Sequence, residues 1–336
     1  MRIGVRRTMQ IFGTLLTIAS GLGSNGIVHA QKAISPVGVD IVVTNQLAQQ
    51  NQSPRVSRST LEIKVVGPEV KFDEFPWQVG LLFAVNGKNW QCGGTLISEW
   101  YVLTAAHCVD ALNEDDYSAI GRVRPASIVV FHGNARFGAG KKLALDNDWG
   151  TRIHKYWKSD RRKPMANDAA LLKLARPFVG AIRVPLNGGN TLPEIAIVSG
   201  WGHFDSVSGV SATLRANAVS IAESATCQAH LDSEMRPYVN ETTLCTVDQK
   251  RDACSGDSGG PLVIGSRLRP QLVGVVSWGP PLRCSQLGPK GTLVGGYVWS
   301  HAIADWVIEQ TGDASLVTTI AADPLMPVPV EPQGSR

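Results

Sequence analysis

Three short segments of the chain carry side chains that could cooperate in nucleophilic catalysis. His107 lies in LTAAHC, Asp168 in NDAALL and Ser258 in DACSGDSGGP. A serine hydroxyl is a weak nucleophile at neutral pH and needs a neighbouring base. A histidine that titrates at about pH 6.5 can accept the serine proton, and a buried carboxylate can hold the imidazole in one tautomer. Each segment alone is ordinary, because single histidines and aspartates more often belong to cores, surfaces or turns.

Taken in this order, and beside the cysteines described below, the segments resemble the chymotrypsin/trypsin family of serine proteases over about residues 65–312. The resemblance implies that His107 is the general base and acid, Asp168 its orienting carboxylate, and Ser258 the nucleophile that forms an acyl-enzyme. The order His–Asp–Ser fits this family and differs from the orders of subtilisins and α/β-hydrolases. Other acids lie between the histidine and the serine but do not head an apolar strand: Asp146, Asp148 and Asp160.

The resemblance also assigns the residues around the nucleophile. It implies that the backbone N–H groups of Gly256 and Ser258 form the oxyanion hole. Asp252, six residues before the nucleophile, is implied to be the pocket floor, as in trypsin-like members. A desolvated carboxylate there would favour Arg or Lys before the scissile bond. Four further residues are implied to pair with the substrate backbone or keep the pocket walls open: Ser277, Trp278, Gly279 and Gly295.

One departure from the trypsin pattern leaves the specificity open. The stretch 279–284 is about two residues longer than in trypsin, and Arg283 stands where a glycine is usual. An arginine at the pocket rim could repel basic substrates or fold back onto Asp252. An active protease with a non-tryptic pocket is therefore an alternative. A catalytically silent relative used as a binding module is another, which the presence of all three catalytic residue types disfavours.

Residues 64–67, Lys-Val-Val-Gly, resemble the activation junction of a zymogen. Cleavage after Lys64 would create an α-amino group at Val65, and the resemblance implies that this group pairs with Asp257. The basic residue at the junction suits the predicted preference, so both self-activation and an activating protease are consistent with it. Pro68 replaces the glycine that is usual there, which could alter how the new terminus turns inward.

Six cysteines follow the N-terminal region: Cys92, Cys108, Cys227, Cys245, Cys254 and Cys284. An even number in an exported chain predicts disulfides, although six cysteines allow 15 pairings on sequence alone. Zinc is disfavoured because the chain has no CxxC and no HxxxH motif. The family resemblance implies the pairs Cys92–Cys108, Cys227–Cys245 and Cys254–Cys284. We expect no calcium in the stretch 132–145, which contains no Asp or Glu, and no other metal or cofactor.

Both ends of the chain differ in composition from its centre. Three arginines precede an apolar stretch at 11–22, and Val28-His29-Ala30 fits a cleavage site, which predicts a signal peptide over 1–30 and a secreted or periplasmic protein. The polar stretch 31–64 is the expected propeptide. The Pro-rich stretch 313–336 is expected to be a disordered tail. No later segment is apolar enough to span a bilayer, so we expect no membrane association after signal cleavage.

Between these ends, short β-branched runs alternate with Gly and Asn turns. This texture predicts an all-β fold with a hairpin at Asn86-Gly87 and strands near 94–97, 127–131, 169–174, 195–199, 261–264 and 272–277. A helix is predicted over Ser300–Gln310, stopped by Gly312. The family resemblance implies two antiparallel six-stranded Greek-key β-barrels, about 65–185 and 186–312, with a C-terminal α-helix.

The charge distribution bears on partners. The formal net charge is +4, but residues 65–336 carry a net charge of −1. A nearly neutral body gives no reason to expect a nucleic-acid partner. The resemblance implies protein or peptide substrates with Arg or Lys before the cut, and we expect a monomer.

Overall fold

The computed structural model describes residues 67–85, 87–112, 119–157, 165–204, 209–248, 252–279 and 291–322. These residues all belong to one compact unit, Thr60–Arg336. The predicted signal peptide, the propeptide, the junction residues Lys64 and Val65, and the rim residue Arg283 lie outside the described residues.

Within those residues the first half contains nine strands: β1 Gln78–Val85, β2 Lys88–Leu96, β3 Tyr101–Thr104, β4 Asp110–Leu112, β5 Ala119–Arg122, β6 Ile128–His132, β7 Lys141–Leu143, β8 Thr151–Ile153 and β9 Ala170–Lys173. The second half contains eight: β10 Leu186–Asn187, β11 Ile195–Gly200, β12 Arg215–Ala222, β13 Thr243–Asp248, β14 Pro261–Ser266, β15 Arg269–Trp278, β16 Leu293–Trp299 and β17 Val317–Thr318. The α-helices of the described part are α1 Ala106–Val109, α2 Ser224–His230 and α3 Ser300–Thr311. Short 3-10 helices are Phe72–Glu74, Pro125–Ser127, Arg236–Tyr238 and Ala314–Leu316.

The first sheet is a closed ring with one added strand. Its order is β7-β6-β1-β2-β3-β9-β8. An antiparallel bridge between Leu145 and Leu174 joins the chain after β7 to the chain after β9 and closes the ring. Six strands therefore make the barrel, and β8 attaches to β9 from outside. Strand β6 lies beside β1, so the first four strands of the ring run 4-1-2-3 in space, which is a Greek key.

The second sheet repeats this arrangement. Its order is β14-β11-β12-β13-β16-β15-β10-β17, and an additional β14–β15 pairing closes a ring of six strands. The fourth strand of the ring, β14, again lies beside the first, β11. The short strands β10 and β17 attach outside the ring and run parallel to their neighbours. The predicted fold class is confirmed, and the two sheets hold more than six strands because short pieces extend their edges.

Turn chemistry and burial explain several of these elements. The β1–β2 hairpin reverses at the predicted site, where Gly87 has a φ of 77°, a conformation that glycine adopts without strain. Buried side chains from both rings join one large core cluster, among them Trp77, Leu103, Leu171, Val263 and Val275. The burial of these apolar surfaces provides the main force that holds the rings together.

Helix α3 confirms the predicted C-terminal helix. It ends at Gly312, whose left-handed backbone (φ 70°) lets its N–H reach the carbonyl of Ile308 at 2.8 Å. Trp306, on the buried face of the helix, meets the ring of His154 edge to face at 4.9 Å between centroids. None of the described helices is long and apolar enough to cross a membrane.

The expectation of a disordered tail from residue 313 is wrong for its first part. A 3-10 helix, capped by Asp313, places Leu316 in the core, and β17 then pairs with β10. Gln271 also donates from its amide to the carbonyl of Ile320 at 2.9 Å. The prolines all follow residue 323, whereas the residues before them include apolar and β-branched side chains, which suit an added edge strand.

We therefore expect Leu316 to contribute to stability although it lies beyond the predicted domain end. The substitution Leu316→Ala should lower the free energy of unfolding by about 2–4 kcal/mol, because it leaves a cavity under the last strand. Ile320, which is 69% exposed, provides the control. Ile320→Ala should change the free energy by less than about 0.5 kcal/mol. Equal effects of the two substitutions in urea titrations would contradict this view of the C-terminal segment.

Candidate active site

His107 and Asp168 lie in direct contact. The Nδ1 atom of His107 is 2.7 Å from Oδ2 of Asp168, and the His107 backbone N–H donates to Oδ1 at 2.8 Å. The hydroxyl of Ser277 donates to the same Oδ2 at 2.6 Å. The carboxylate is fully buried, and it accepts three hydrogen bonds in place of water. These contacts fix the ring orientation and favour the tautomer with the proton on Nδ1.

Local structure holds each partner in place. His107 lies in α1, the short turn that follows β3, and Asp168 lies just before β9, which pairs with β3. Asn167 adopts a left-handed backbone (φ 55°) that turns the chain into the strand. Of the competing acids, Asp146 binds Lys173 at 3.1 Å at the barrel seam, away from this contact, and Asp160 lies outside the described residues.

Ser258 lies on a turn that both barrels hold. Its carbonyl accepts a hydrogen bond from Gly93 N of the first barrel at 2.7 Å, and Gly259 N donates to Val276 O of the second at 2.8 Å. The Sγ atom of Cys108, next to His107 in the chain, lies 3.6 Å from the Ser258 carbonyl oxygen. The turn that carries the serine is therefore adjacent to the helix that carries the histidine.

The residues flanking Ser258 form a tight turn around a buried carboxylate. Gly256 has a φ of 95°, a conformation unfavourable for other residues. Asp257 accepts hydrogen bonds from Gly202 N at 2.6 Å and from Cys254 N at 3.0 Å. A Cβ at Gly200 would collide with this carboxylate, so glycine is required there. Burial raises the pKa of Asp257 to about 6, against the opposing effect of these hydrogen bonds.

Asp252 lies at the bottom of a closed environment in the second barrel. It accepts hydrogen bonds from Thr246 Oγ1 and Tyr297 OH, both at 2.6 Å, and from Ala253 N at 2.8 Å. Burial raises the pKa of Asp252 to about 6, and the three donors oppose that shift. A side chain on Gly295 would collide with the carboxylate, so a glycine at this position is needed to make room for Asp252.

The residues predicted to line the substrate site lie at the end of β15. Ser277 and Trp278 are the last two residues of the strand. The Trp278 ring contacts the Tyr238 ring edge to face, with 5.6 Å between the ring centroids. Gly279 follows with no crowding around its Cα, since the nearest atom to a hypothetical Cβ is Val294 O at 3.9 Å. The rim residue Arg283, whose effect on the pocket the sequence left open, lies outside the described residues.

The disulfides agree with the resemblance where the structure describes them. Cys92–Cys108 and Cys227–Cys245 are both present. Cys254 is disulfide-bonded, while its predicted partner Cys284 lies outside the described residues. The ligand atoms of Cys92, His107 and Cys108 lie within 4.8 Å of one another. Since both sulfurs are joined in a disulfide, this group offers no thiolate to a metal.

Sequence reasoning missed several residues that support the site. Thr246 and Tyr297 gave no signal, because a threonine and a tyrosine in apolar strands have many ordinary roles. Trp157 Nε1 donates to Asp110 Oδ2 at 3.2 Å and so joins the chain after β8 to the residue that follows helix α1. Ser277 was expected only as a substrate-binding residue, and its contact with Asp168 adds a second role.

Comparisons with known proteins agree with this geometry. A model of the Trypsin family matches residues 64–307, most of the chain. The chain belongs to the trypsin family of serine proteases. As a member, it is a serine endopeptidase, a hydrolase that acts on peptide bonds of protein or peptide substrates.

Individual relatives support the assignment. A trypsin of Sarcophaga bullata is 33% identical over 235 residues, which cover 68% of this chain and 83% of that protein. A vitellin-degrading protease of Bombyx mori is 33% identical over 258 residues, 74% of this chain and 86% of the relative. The solved structure of HL collagenase superposes with a TM-score of 0.59 and 25% identity, covering 74% of this chain and 99% of the other.

His154 supports the segment that carries Asp168. Its backbone N–H donates to Ala169 O at 2.9 Å, and its ring lies between Tyr156 and Trp306. Burial, reinforced by the nearby charge of Lys155, lowers the pKa of His154 to about 4. The unfolded chain then binds the proton more tightly than the folded chain.

We expect His154 to make the free energy of unfolding depend on pH in the acidic range. As the pH falls from about 6.5 to about 4, protonation of the unfolded state should lower the free energy of unfolding by about 3 kcal/mol. His154→Phe keeps a ring against Trp306 and should remove this dependence. The difference between the two proteins, measured by urea unfolding in a Ser258→Ala background, isolates the histidine from Asp252 and Asp257, whose raised pKa values act in the opposite direction. Parallel pH profiles would contradict the assignment.

Proposed function

We propose that this protein is an exported, trypsin-like endopeptidase that cleaves after Arg and Lys and is made as a zymogen. The observation that carries the proposal is the buried contact of His107 with Asp168, beside the turn that bears Ser258. Ser258 attacks the scissile carbonyl while His107 accepts its proton, and His107 then protonates the leaving amine. In the second half of the reaction, water attacks the acyl-enzyme while His107 accepts a proton from the water. His107 then returns this proton to the Ser258 oxygen as the acid product leaves.

The contacts of Asp168 support its role as the orienting group. Its carboxylate is acceptor-only when ionised, and three donors stabilise that state. It therefore stabilises the imidazolium that forms when His107 takes the serine proton. The positive φ of Gly256 is consistent with a turn whose N–H groups, with that of Ser258, receive the oxyanion.

Asp252 supports the Arg/Lys preference. A buried carboxylate that lacks a cation is costly, and its raised pKa reports that cost. A guanidinium or ammonium group entering beside Gly295 would recover the interaction, whereas a neutral side chain would not. The hydrogen bonds from Thr246 and Tyr297 hold the carboxylate in position.

The specificity can be tested with protein that starts at Val65, using amide substrates with Arg or Phe before the cut. Asp252→Asn should lower kcat/KM for the Arg substrate by about 10²–10³-fold, because a desolvated ion pair is lost. The same substitution should change kcat/KM for the Phe substrate far less. In the wild type, the Arg/Phe ratio should fall as the pH drops through about 6, since Asp252 becomes neutral.

Ser258→Ala is the blank for these assays, because it keeps the fold and removes the nucleophile. Hydrolysis of Phe in preference to Arg would replace the tryptic assignment by an active protease with a different pocket. Hydrolysis of neither substrate, by folded protein with a free Val65, would favour the catalytically silent binding module.

The surroundings of Gly67 support activation by cleavage after Lys64. Gly67 lies against Ala216 on β12, which pairs with Ser199 on β11, and the next residue of β11 contacts Asp257. Val65 is two residues before Gly67, and two extended residues span about 7 Å. We infer that the new α-amino group turns towards the Asp257 carboxylate, which is buried and has no cation among the contacts described for it.

We expect the full chain to be inactive and to gain activity when its N-terminus becomes Val65. N-terminal sequencing should find Val65 as the first residue of the active form. Lys64→Gln should block this step for a protease that cleaves after basic residues. Full-length Ser258→Ala protein keeps Lys64, and its cleavage by added active wild-type protein would distinguish self-activation from activation by another protease. Activity in a chain that keeps residues before Val65 would refute the zymogen proposal.

Export is supported by the residues at the N-terminus and by the disulfides. The first 30 residues have the composition of a signal peptide. Disulfides such as Cys92–Cys108 and Cys227–Cys245 form in oxidising compartments. We therefore place the mature protein in the periplasm or outside the cell.

A further inference from the structure

Arg215, at the start of β12, contacts two separate segments of the chain. Its Nη1 donates to the carbonyl of Gly67 at 2.9 Å, and its Nη2 lies 3.4 Å from a carboxylate oxygen of Glu69. Its Nε donates to Ser211 Oγ at 3.1 Å, and its planar face covers the ring of Phe204 at 4.3 Å. The side chain is only 12% exposed. The guanidinium therefore joins the segment near the proposed new N-terminus to two residues farther along the chain, Phe204 and Ser211.

The first of these segments follows the proposed cleavage site directly. Ala216 N donates to Pro68 O at 3.3 Å, and Val70 N donates to Leu214 O at 2.9 Å. Gly67 approaches the Ala216 carbonyl so closely that a Cβ would collide with it. The carbonyl that Arg215 binds thus belongs to Gly67, the third residue of the chain that would begin at Val65.

The second segment leads to the turn that carries Asp257. Gly202, two residues before Phe204, donates its N–H to Asp257, and His203 N donates to Ser255 O at 2.9 Å. Ser211 N in turn donates to Gly202 O at 3.0 Å. A displacement of Phe204 or Ser211 would therefore move Gly202 and His203, whose N–H groups bind the Asp257 carboxylate and the neighbouring Ser255 carbonyl.

From these contacts we propose that Arg215 is a positioning residue for activation. It fixes the position of Gly67 relative to Phe204 and Ser211, and we infer that this directs the α-amino group of Val65 towards the Asp257 carboxylate. The inference rests on the zymogen proposal above. A lysine would not substitute, because one ammonium group lacks the planar fork that donates in several directions and covers an aromatic ring.

The ion pair with Glu69 is not the basis of the proposal. Glu69 is 59% exposed and its contact with Arg215 is long, and such surface pairs contribute little. We expect Glu69→Gln to behave almost as wild type. The hydrogen bonds that the guanidinium donates to the neutral oxygens of Gly67 and Ser211, and its stacking on Phe204, are the contacts whose loss should be measurable.

The test uses activated protein that begins at Val65, with the substitutions Arg215→Met and Arg215→Lys. The first readout is the alkaline limb of kcat/KM, where deprotonation of the Val65 α-amino group ends its pairing with Asp257. The second is the rate at which an amine-specific reagent labels that group. Arg215→Met should move the alkaline limb down by about one pH unit and speed labelling about tenfold. Arg215→Lys should restore only part of both.

Arg267→Met is the matched control. Arg267 also donates to a backbone carbonyl, that of Asp73 at 2.6 Å, but it lies on an exposed hairpin. The alkaline limb of kcat/KM and the rate of Val65 labelling in Arg267→Met should match those of the wild type. If Arg215→Met does not fold, Phe204→Leu removes the stacked ring alone and should shift both readouts in the same direction.

Two results would overturn the proposal in distinguishable ways. If Val65 is protected in the wild type and equally protected in the Arg215 variants, or if their activity falls uniformly at every pH, Arg215 has no positioning role while activation stands. If the wild-type Val65 is labelled as fast as a free peptide amine at every pH, the activation proposal fails, and the role of Arg215 fails with it.

Discussion

Asp168 carries a carboxylate that solvent does not reach, and the arrangement of the site depends on satisfying it. Two of its hydrogen bonds come from His107 in the first barrel and one from Ser277 in the second. An unpaired buried carboxylate would cost several kcal/mol, so the barrels are held in the relation that supplies all three donors. The turn bearing Ser258 is likewise held by both barrels: it accepts a hydrogen bond from Gly93 N of the first and donates one from Gly259 N to Val276 O of the second.

Two further buried carboxylates depend on glycines. Asp252 and Asp257 occupy space that a side chain on Gly295 or on Gly200 would fill. Backbone N–H groups, a tyrosine and a threonine take the place of water around them. Such groups are kept at the cost of stability, because burial disfavours their charged forms and raises their pKa values. A strongly perturbed acid in a closed environment is typical of functional sites.

Much of this architecture is readable from the sequence. Alternating apolar runs and a strong hairpin signal predict the strands, and Gly312 predicts the end of α3, because these features depend on local chemistry. The contact between His107 and Asp168 agrees with the roles that the family resemblance implies for them, and the role of Ser258 stays a prediction from the same resemblance. The segment around Leu316 was missed, since its order comes from a distant core and not from local propensity. Thr246 and Tyr297 were missed for the same reason: their hydrogen bonds join residues that are far apart in the fold.

The two rings have the same cyclic strand order, and each closes on itself, so the strands of each ring pair with one another and not with strands of the other ring. The candidate site, in contrast, draws His107 and Asp168 from one ring and Ser258 from the other. A chain divided in the connection between β9 and β11 would place these groups on separate polypeptides, neither of them complete. Neither fragment alone would then hydrolyse peptide bonds, and the recovery of hydrolysis after mixing would measure how much of the two fragments had associated.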